Sequence, residues 1–268
     1  MLGGSMPKVS VVISVYNGET YLKECIDSIL NQTYRDFEFI ILNNGSTDHT
    51  PKILNRYTDP RLQIIHQDNL GISRSLNRGI NLSRGDLIAR LDADDLSLPN
   101  RLERQVAFMD KNPNIVLCGS RFHEMIGNKL YSQKVPFIEK DATIRKSLSC
   151  FNPFAHSTII FRKKTFLEAG GYNDRFKYSQ DYDLWMRMLK LGHAGILKDK
   201  LSIVRLTQHS FSNQNNRKQK LEGLLIRWNA FRQFGGNPLK TLYYSLKSLA
   251  GLIFPLDSTS LRKFAGRL

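Results

Sequence analysis

Cysteine is scarce in this chain. Cys25, Cys118 and Cys150 stand far apart in 268 residues, with no CxxC pair. An odd count without ligand spacing excludes a disulfide framework and a thiolate metal site, and fits reduced thiols in the cytosol. No basic stretch leads into an apolar run at the N-terminus, so no secretory leader is expected, and residues 1–5 carry no fold signal. No apolar run reaches the ~20 residues that span a bilayer. Leu239 to Pro255 is apolar but interrupted by Lys240 and Lys247, so it is expected to lie on a bilayer rather than cross one. Acidic residues are also in short supply: 24 Asp and Glu face 39 Lys and Arg, a net charge of +15. Zinc-finger spacing, RNP-like motifs and a recognition helix are missing, so nucleic acid is not the expected partner.

The excess charge gathers late in the chain. From Lys200 onward twelve Lys and Arg face only Glu222 and Asp257. A solubilising surface is one reading; an anionic membrane surface or an acidic lipid-linked acceptor is the sharper one. The length suits one α/β domain over 7–212 followed by a basic, amphipathic helical tail over 213–268. In that tail Leu224, Leu225, Trp228, Phe231 and Phe234 alternate with Arg227, Arg232 and Gln233, a pattern that suits either packing on the domain or a membrane surface.

The first half alternates in period. Val9 to Val15 is a β-branched run ending at Tyr16-Asn17-Gly18, and Thr20 to Gln32 has helical apolar spacing. Phe37 to Leu42 is a second strand, closed by Asn43-Asn44-Gly45-Ser46, with a helix expected through Leu54 to Tyr57. Leu62 to His66, Ile72 to Leu82 and Leu87 to Leu91 read as strand, helix and strand. Such βαβ order predicts right-handed crossovers and a mostly parallel sheet flanked by helices. Ligands then bind beyond the carboxyl ends of the strands, where Tyr16 to Gly18, Asn43 to Asp48 and Asp92 to Asp95 all fall. Later, Ile115 to Ser120 and His156 to Phe161 read as strands, Asp181 to Leu191 and Arg217 to Phe234 as helices.

Asp92-Ala93-Asp94-Asp95 sets three carboxylates within four residues. Their repulsion at a buried strand end would be relieved by a hard divalent cation, Mg²⁺ or Mn²⁺, which takes oxygen ligands and phosphate partners. The plainer alternative is a solvated acidic turn ahead of the helix near Pro99.

The order of these segments resembles family 2 glycosyltransferases. It runs Val-Ser-Val-Val-Ile-Ser-Val-Tyr-Asn, Asn-Asn-Gly-Ser-Thr-Asp and Ala-Arg-Leu-Asp-Ala-Asp-Asp with Pro99, Arg101 and Leu102; then Gly170-Gly171-Tyr172, Ser179-Gln180-Asp181-Tyr182-Asp183-Leu184-Trp185-Met186-Arg187, Arg205 and His209. The resemblance covers about Lys8 to Ser212. It implies a GT-A fold and an inverting, metal-dependent sugar transfer from a nucleotide diphosphate, a UDP-sugar being favoured. The acceptor would be a hydroxyl of a polysaccharide, lipopolysaccharide or lipid-linked glycan, reached from the cytoplasmic face of the cell membrane. The donor would lie between Val15, Tyr16, Asn17 and Glu19 and the pair Asp92-Ala93. Arg74 and Arg90 are candidate diphosphate contacts, since a guanidinium matches phosphate oxygens. Asp94 would hold the metal, His209 is a second candidate ligand, and Asp92 or Asp95 could join them. Asp181 corresponds to the catalytic base, leaving Asp183, on another helix face, a structural charge. Trp185 would wall the acceptor pocket or fill the core, and His156 would sit on the acceptor side or be structural. The family usually carries a carboxylate where this chain has Asn44. An amide oxygen there would still accept a hydrogen bond from uracil or thymine N3–H, more weakly. A nucleotidyl-sugar transferase would need an early Gly-rich phosphate loop, which the chain lacks; a non-catalytic binding or scaffold module is suggested by Asn44 alone.

Overall fold

The structure, a computed structural model, describes residues 6–132, 137–206 and 216–253. Its first half repeats strand and helix: β1 (Val9–Val15), α1 (Leu22–Leu30), β2 (Phe37–Asn44), α2 (Thr50–Leu54), β3 (Leu62–Gln67), α3 (Ile72–Leu82) and β4 (Leu87–Arg90). There follow β5 (Leu96–Ser97), α4 (Arg101–Lys111), β6 (Ile115–Ile126), β7 (Lys129–Ser132), α5 (Asp141–Ser147), β8 (Ile160–Arg162), α6 (Lys163–Glu168), α7 (Gln180–Met188), β9 (His193–Arg205), α8 (Asn216–Phe234) and α9 (Pro238–Ile253).

The strands form one sheet in the order β3-β2-β1-β4-β8-β6-β9-β5, with β7 added beside β6. The first four are parallel as expected. Beyond β4 the sheet is mixed: β8 joins antiparallel to β4 and β6, while β6 and β9 pair in parallel along most of their length. The run from His156 is not one strand; a 3₁₀ turn, His156–Thr158, precedes β8. The short β5 and β7, the helices α5 and α6, and the long β9 carry no clear periodic signal and appear only in the structure.

Alternation along the strands assigns side chains to two cores. In β2, Phe37, Phe39 and Ile41 face one side, with Leu22, Ile26 and Ile29 of α1 and Leu102, Val106 and Met109 of α4. Ile40 and Leu42 face the other, with Leu76 and Ile80 of α3 and Leu184 and Trp185 of α7. Period-2 strands between period-3.6 helices thus give three layers. Gly79 lets α3 approach closely: a Cβ there would meet Leu42 at 2.5 Å and Val12 at 2.8 Å. The inner face of α8 belongs to the same core, with Ile226 and Ala230 fully buried. The expected boundary near residue 212 falls outside the described residues.

Candidate active site

Because β1, β2 and β4 run parallel, their carboxyl ends deliver Val15, Asn44 and Arg90 to one edge of the sheet. The loops after β1 and β2 are laced together. Asn17, in the left-handed region at φ 52°, accepts the Thr47 N–H through Oδ1 at 2.8 Å. Its own N–H reaches Ser46 Oγ at 3.0 Å, and Glu19 accepts from the His49 N–H at 2.9 Å. Tyr16 stands 53% exposed at the lip. Val15 is buried, so only its backbone can reach a ligand.

The acidic loop follows β4, and three arginines hold it. Arg90 is fully buried, donating at 2.6 Å to Val12 O, Leu91 O and Asp92 Oδ1. Its Nε donates to His156 Nε2 at 3.2 Å. Arg101, also fully buried, donates to Arg90 O at 2.6 Å and Ile159 O at 3.0 Å. Burial, then the charge of Arg90, lowers the Arg101 guanidinium to about 9, so it stays cationic at neutral pH. Arg205, at the end of β9, donates its backbone N–H to Asp95 Oδ1 at 2.8 Å and Nη1 to Asp94 O at 3.1 Å. Its guanidinium also bonds Glu24 and lies 4.4 Å from the centre of the Tyr21 ring. One guanidinium, Arg90, thus pairs directly with a carboxylate of this loop, Asp92, while Arg101 and Arg205 hold the backbone on either side, so the repulsion that a divalent cation would relieve persists at Asp94 and Asp95.

That support divides the carboxylates. Burial works to raise Asp92, but the charge of Arg90 and hydrogen bonds from Ser157 and Arg90 hold it below the usual range. Burial, then the charges of Asp94 and Asp92, pushes Asp95 well above it. Asp95 faces inward, only 3% exposed, which removes it from the candidate ligands. Burial and the charge of Asp92 raise Asp94 to about 6. Among the described residues, no side chain hydrogen-bonds to its carboxylate. Asp94 and Asp92, whose side chain is 35% exposed, are the carboxylates here that could offer oxygen to Mn²⁺ or Mg²⁺. No group of three or more His, Cys, Asp or Glu among the described residues could hold a metal; the donor's diphosphate and water are the other oxygen ligands such an ion would take. His209 lies outside the described residues.

Asp181 opens α7. Burial raises its carboxyl to about 6; the charge of Asp92 adds to that, while the Tyr182 N–H and Asn152 oppose it. Asn152 Nδ2 donates to Asp181 Oδ2 at 2.9 Å. Asp183 points elsewhere, paired with Arg187 at 2.6 Å. The N-terminus of α7 is capped from the tail: one carboxylate, Glu222 of α8, accepts the N–H groups of Lys177 at 3.0 Å and of Tyr178 and Ser179 at 2.9 Å.

Several expected roles change. Arg90 cannot touch a diphosphate, because its guanidinium is spent beneath Asp92. Trp185 is fully buried among Phe154, His156 and Phe161, so it fills the core and walls no acceptor pocket. His156 turns to Tyr172, Arg90 and Asp92, 3.6 Å from Asp92 Oδ1, and not to an acceptor. Burial and the charge of Arg90 lower its ring to about 3, so it is neutral. Arg74 pairs with Asp174 at 2.8 Å on the surface. Asn44 is buried, and its Oδ1 accepts from Ser75 Oγ at 2.7 Å, the Leu70 N–H at 2.9 Å and Gln67 Nε2 at 3.0 Å. That oxygen has no room for a nucleobase N–H. Ala93 is half-buried beside Asp92. Asn152, Ser157, Arg205 and Glu222 are the supports that the residue pattern did not mark as site residues; of these only Arg205 lay in a recognised motif.

Residues 10–170 match the model of glycosyl transferase family 2. The chain belongs to that family. It is similar to the putative glycosyltransferase EpsE of Bacillus subtilis, 32% identical over 94% of this chain and 91% of that protein. It is also similar to the amylovoran biosynthesis glycosyltransferase AmsE of Erwinia amylovora, 30% identical over 91% of this chain and 94% of that one. Among solved structures it resembles S. aureus TarS 1–349 in complex with UDP-GlcNAc (TM-score 0.69, 17% identity, 92% of this chain and 73% of that one). It also resembles the mannosyltransferase PcManGT from Pyrobaculum calidifontis in complex with GDP-Man and Mn²⁺ (TM-score 0.64, 16% identity, 97% and 79%). The fold is GT-A.

Proposed function

We propose that the chain transfers a sugar, with inversion, from a nucleotide diphosphate to a hydroxyl of a polysaccharide, lipopolysaccharide or lipid-linked glycan. The observation that carries this reading is the division of labour among carboxylates at one edge of the sheet. Asp92 is held ionised; Asp94 is raised to about 6 by burial and the charge of Asp92, a strain that a bound cation would relieve; and Asp181, raised to about 6, suits a general base at neutral pH. Asp181, ionised and steadied by Asn152, takes the acceptor's proton as the acceptor oxygen bonds the anomeric carbon. The bond from that carbon to the diphosphate oxygen breaks on the opposite face. A bound Mn²⁺ or Mg²⁺, held by Asp94 and Asp92, would neutralise the charge on the departing diphosphate. Tyr16 offers a face for the nucleobase, and the backbones of Val15, Asn17 and Ala93 offer polar contacts to the nucleoside. Glu19 serves indirectly, by bracing the loop.

UDP is the favoured nucleotide through the likeness to TarS with UDP-GlcNAc, and Mn²⁺ finds support in PcManGT. The acceptor class follows AmsE, named for amylovoran biosynthesis. Acceptors of that kind and the +15 charge favour work at the cytoplasmic face of the membrane. With Asn44 locked in its own network, the one feature that suggested a non-catalytic module has a structural cause. The test is calorimetry of UDP, GDP, dTDP and CDP with and without Mn²⁺, followed by NMR of the glycosidic product. Metal-dependent binding of UDP and an inverted anomeric centre are expected; metal-indifferent binding, or retention, contradicts the reading.

A further inference from the structure

The last helix is built inside out. Thr241 and Ser245, which are buried, and Ser248 form its inward face. Thr241 Oγ1 hydrogen-bonds Ser149 Oγ at 3.1 Å, and Arg227 of α8 donates to Ser248 Oγ at 3.1 Å and Tyr244 O at 2.6 Å. Thr241 and Ser248 are therefore spent on the protein, and the Ser245 hydroxyl is buried against it without a hydrogen-bond partner among the described residues. Its apolar residues face outward: Leu239 is 75% exposed, Leu242 46%, Tyr243 61%, Leu246 55% and Leu249 43%. Positions 242, 246 and 249 follow the i, i+4, i+7 spacing of one helical face. On α8, Leu221, Leu225 and Trp228 make a second exposed stripe at the same spacing. A water-facing helix would reverse this arrangement, and an apolar surface of this kind marks an interaction site.

The charge around it selects the partner. Arg217, Lys218, Arg232, Lys240 and Lys247 are exposed on these two helices. From 216 to 253 the single acidic residue is Glu222, already engaged at the N-terminus of α7. A second copy of the same face would bring like charges together. No described helix is long and apolar enough to cross a membrane. We propose that the outward face of α9, flanked by Lys240 and Lys247 and aided by the α8 stripe, docks on an anionic phospholipid bilayer. Leu242, Tyr243, Leu246 and Leu249 enter the headgroup and acyl boundary while the lysines meet the phosphates. The proposal is independent of the reaction, since vesicle binding is read without donor turnover.

The full chain is mixed with vesicles of phosphatidylglycerol and phosphatidylcholine, or of phosphatidylcholine alone. Co-sedimentation with the anionic vesicles is expected, weakening in high salt. The exposed double variants Leu242→Ser/Leu246→Ser and Lys240→Glu/Lys247→Glu should each lower it by about tenfold or more. Emission of Trp228 should shift to the blue on anionic vesicles, a shift absent in Trp228→Phe, where buried Trp185 alone remains; this reports docking by native residues whatever the fate of the variants. Equal binding to both vesicles, or undiminished binding by both double variants, overturns the proposal. So does a dimer in solution that Leu242→Ser/Leu246→Ser dissociates, or lipid binding that appears only after residues 254–268 are removed.

Discussion

Glu222 of α8 accepts the Ser179 N–H at 2.9 Å, two residues ahead of Asp181. The same carboxylate takes the two preceding amides, so a tail side chain fixes the entry of the helix that carries the base. A carboxylate there also meets the positive end of the α7 dipole. Glu222→Ala leaves three amides without this acceptor and loosens that entry. The expected result is a fall in kcat of several-fold with donor affinity unchanged, and full rescue is not expected from Glu222→Gln, which offers one oxygen. A purely structural residue would instead lower kcat and donor affinity together as folded protein is lost; comparing calorimetry of UDP–Mn²⁺ with steady-state rates separates the two.

Asp94 carries opposing demands of stability and function. Its folded value, about 6, lies above the ordinary 3.8. A carboxyl raised in this way favours the folded state below about pH 4, and that contribution is lost as pH rises through about 6. Asp94→Asn should therefore raise the melting temperature at pH 7.5 and give no gain at pH 4. The same substitution should abolish metal-dependent UDP binding. In the native chain that binding should weaken as pH falls through about 6, when the carboxyl protonates. Thermal melts and calorimetry at the two pH values check both limbs.

Asn44→Asp tests the polar network at the end of β2. Asn44 Nδ2 donates to Asn69 Oδ1 at 3.2 Å, and that oxygen also accepts the Gly71 N–H at 3.0 Å. Aspartate would set two acceptors against each other, and Asn69 could turn its amide only by abandoning Gly71. A loss of about 1–3 kcal/mol in stability is expected, with no tightening of UDP. A stable variant that binds UDP more strongly would return Asn44 to the nucleobase site.

Much of the fold was readable in advance because βαβ order leaves a strong alternation of period. Ile72–Leu82 matches its apolar spacing, and the parallel strands place the three polar loops at one edge. The second half resisted, since β9 draws its partners from distant β6 and β5 and no local period announces it. In the site, residue types near the strand ends were legible, but the direction of their side chains was not. Arg90 next to acidic residues reads as a phosphate contact; only the packed structure reveals it as fully buried beneath Asp92. Trp185 beside Asp181 on α7 likewise points into the core. Glu222 was unreadable, because its role depends on a helix 43 residues away in sequence at Ser179.

The most direct test of the account is the pH dependence of transfer in the native chain and in Asp181→Asn. Asp181 works ionised and is raised to about 6, so with UDP–Mn²⁺ kept saturating at every pH, which holds Asp94 ionised on the metal, kcat should be level above that pH and fall tenfold per unit below it. Asp181→Asn should bind UDP–Mn²⁺ as the native chain does, yet transfer ~10²-fold or more slowly, with that acid limb gone. A variant that keeps near-native turnover, or the same acid limb in both proteins, would show that Asp181 is not the base.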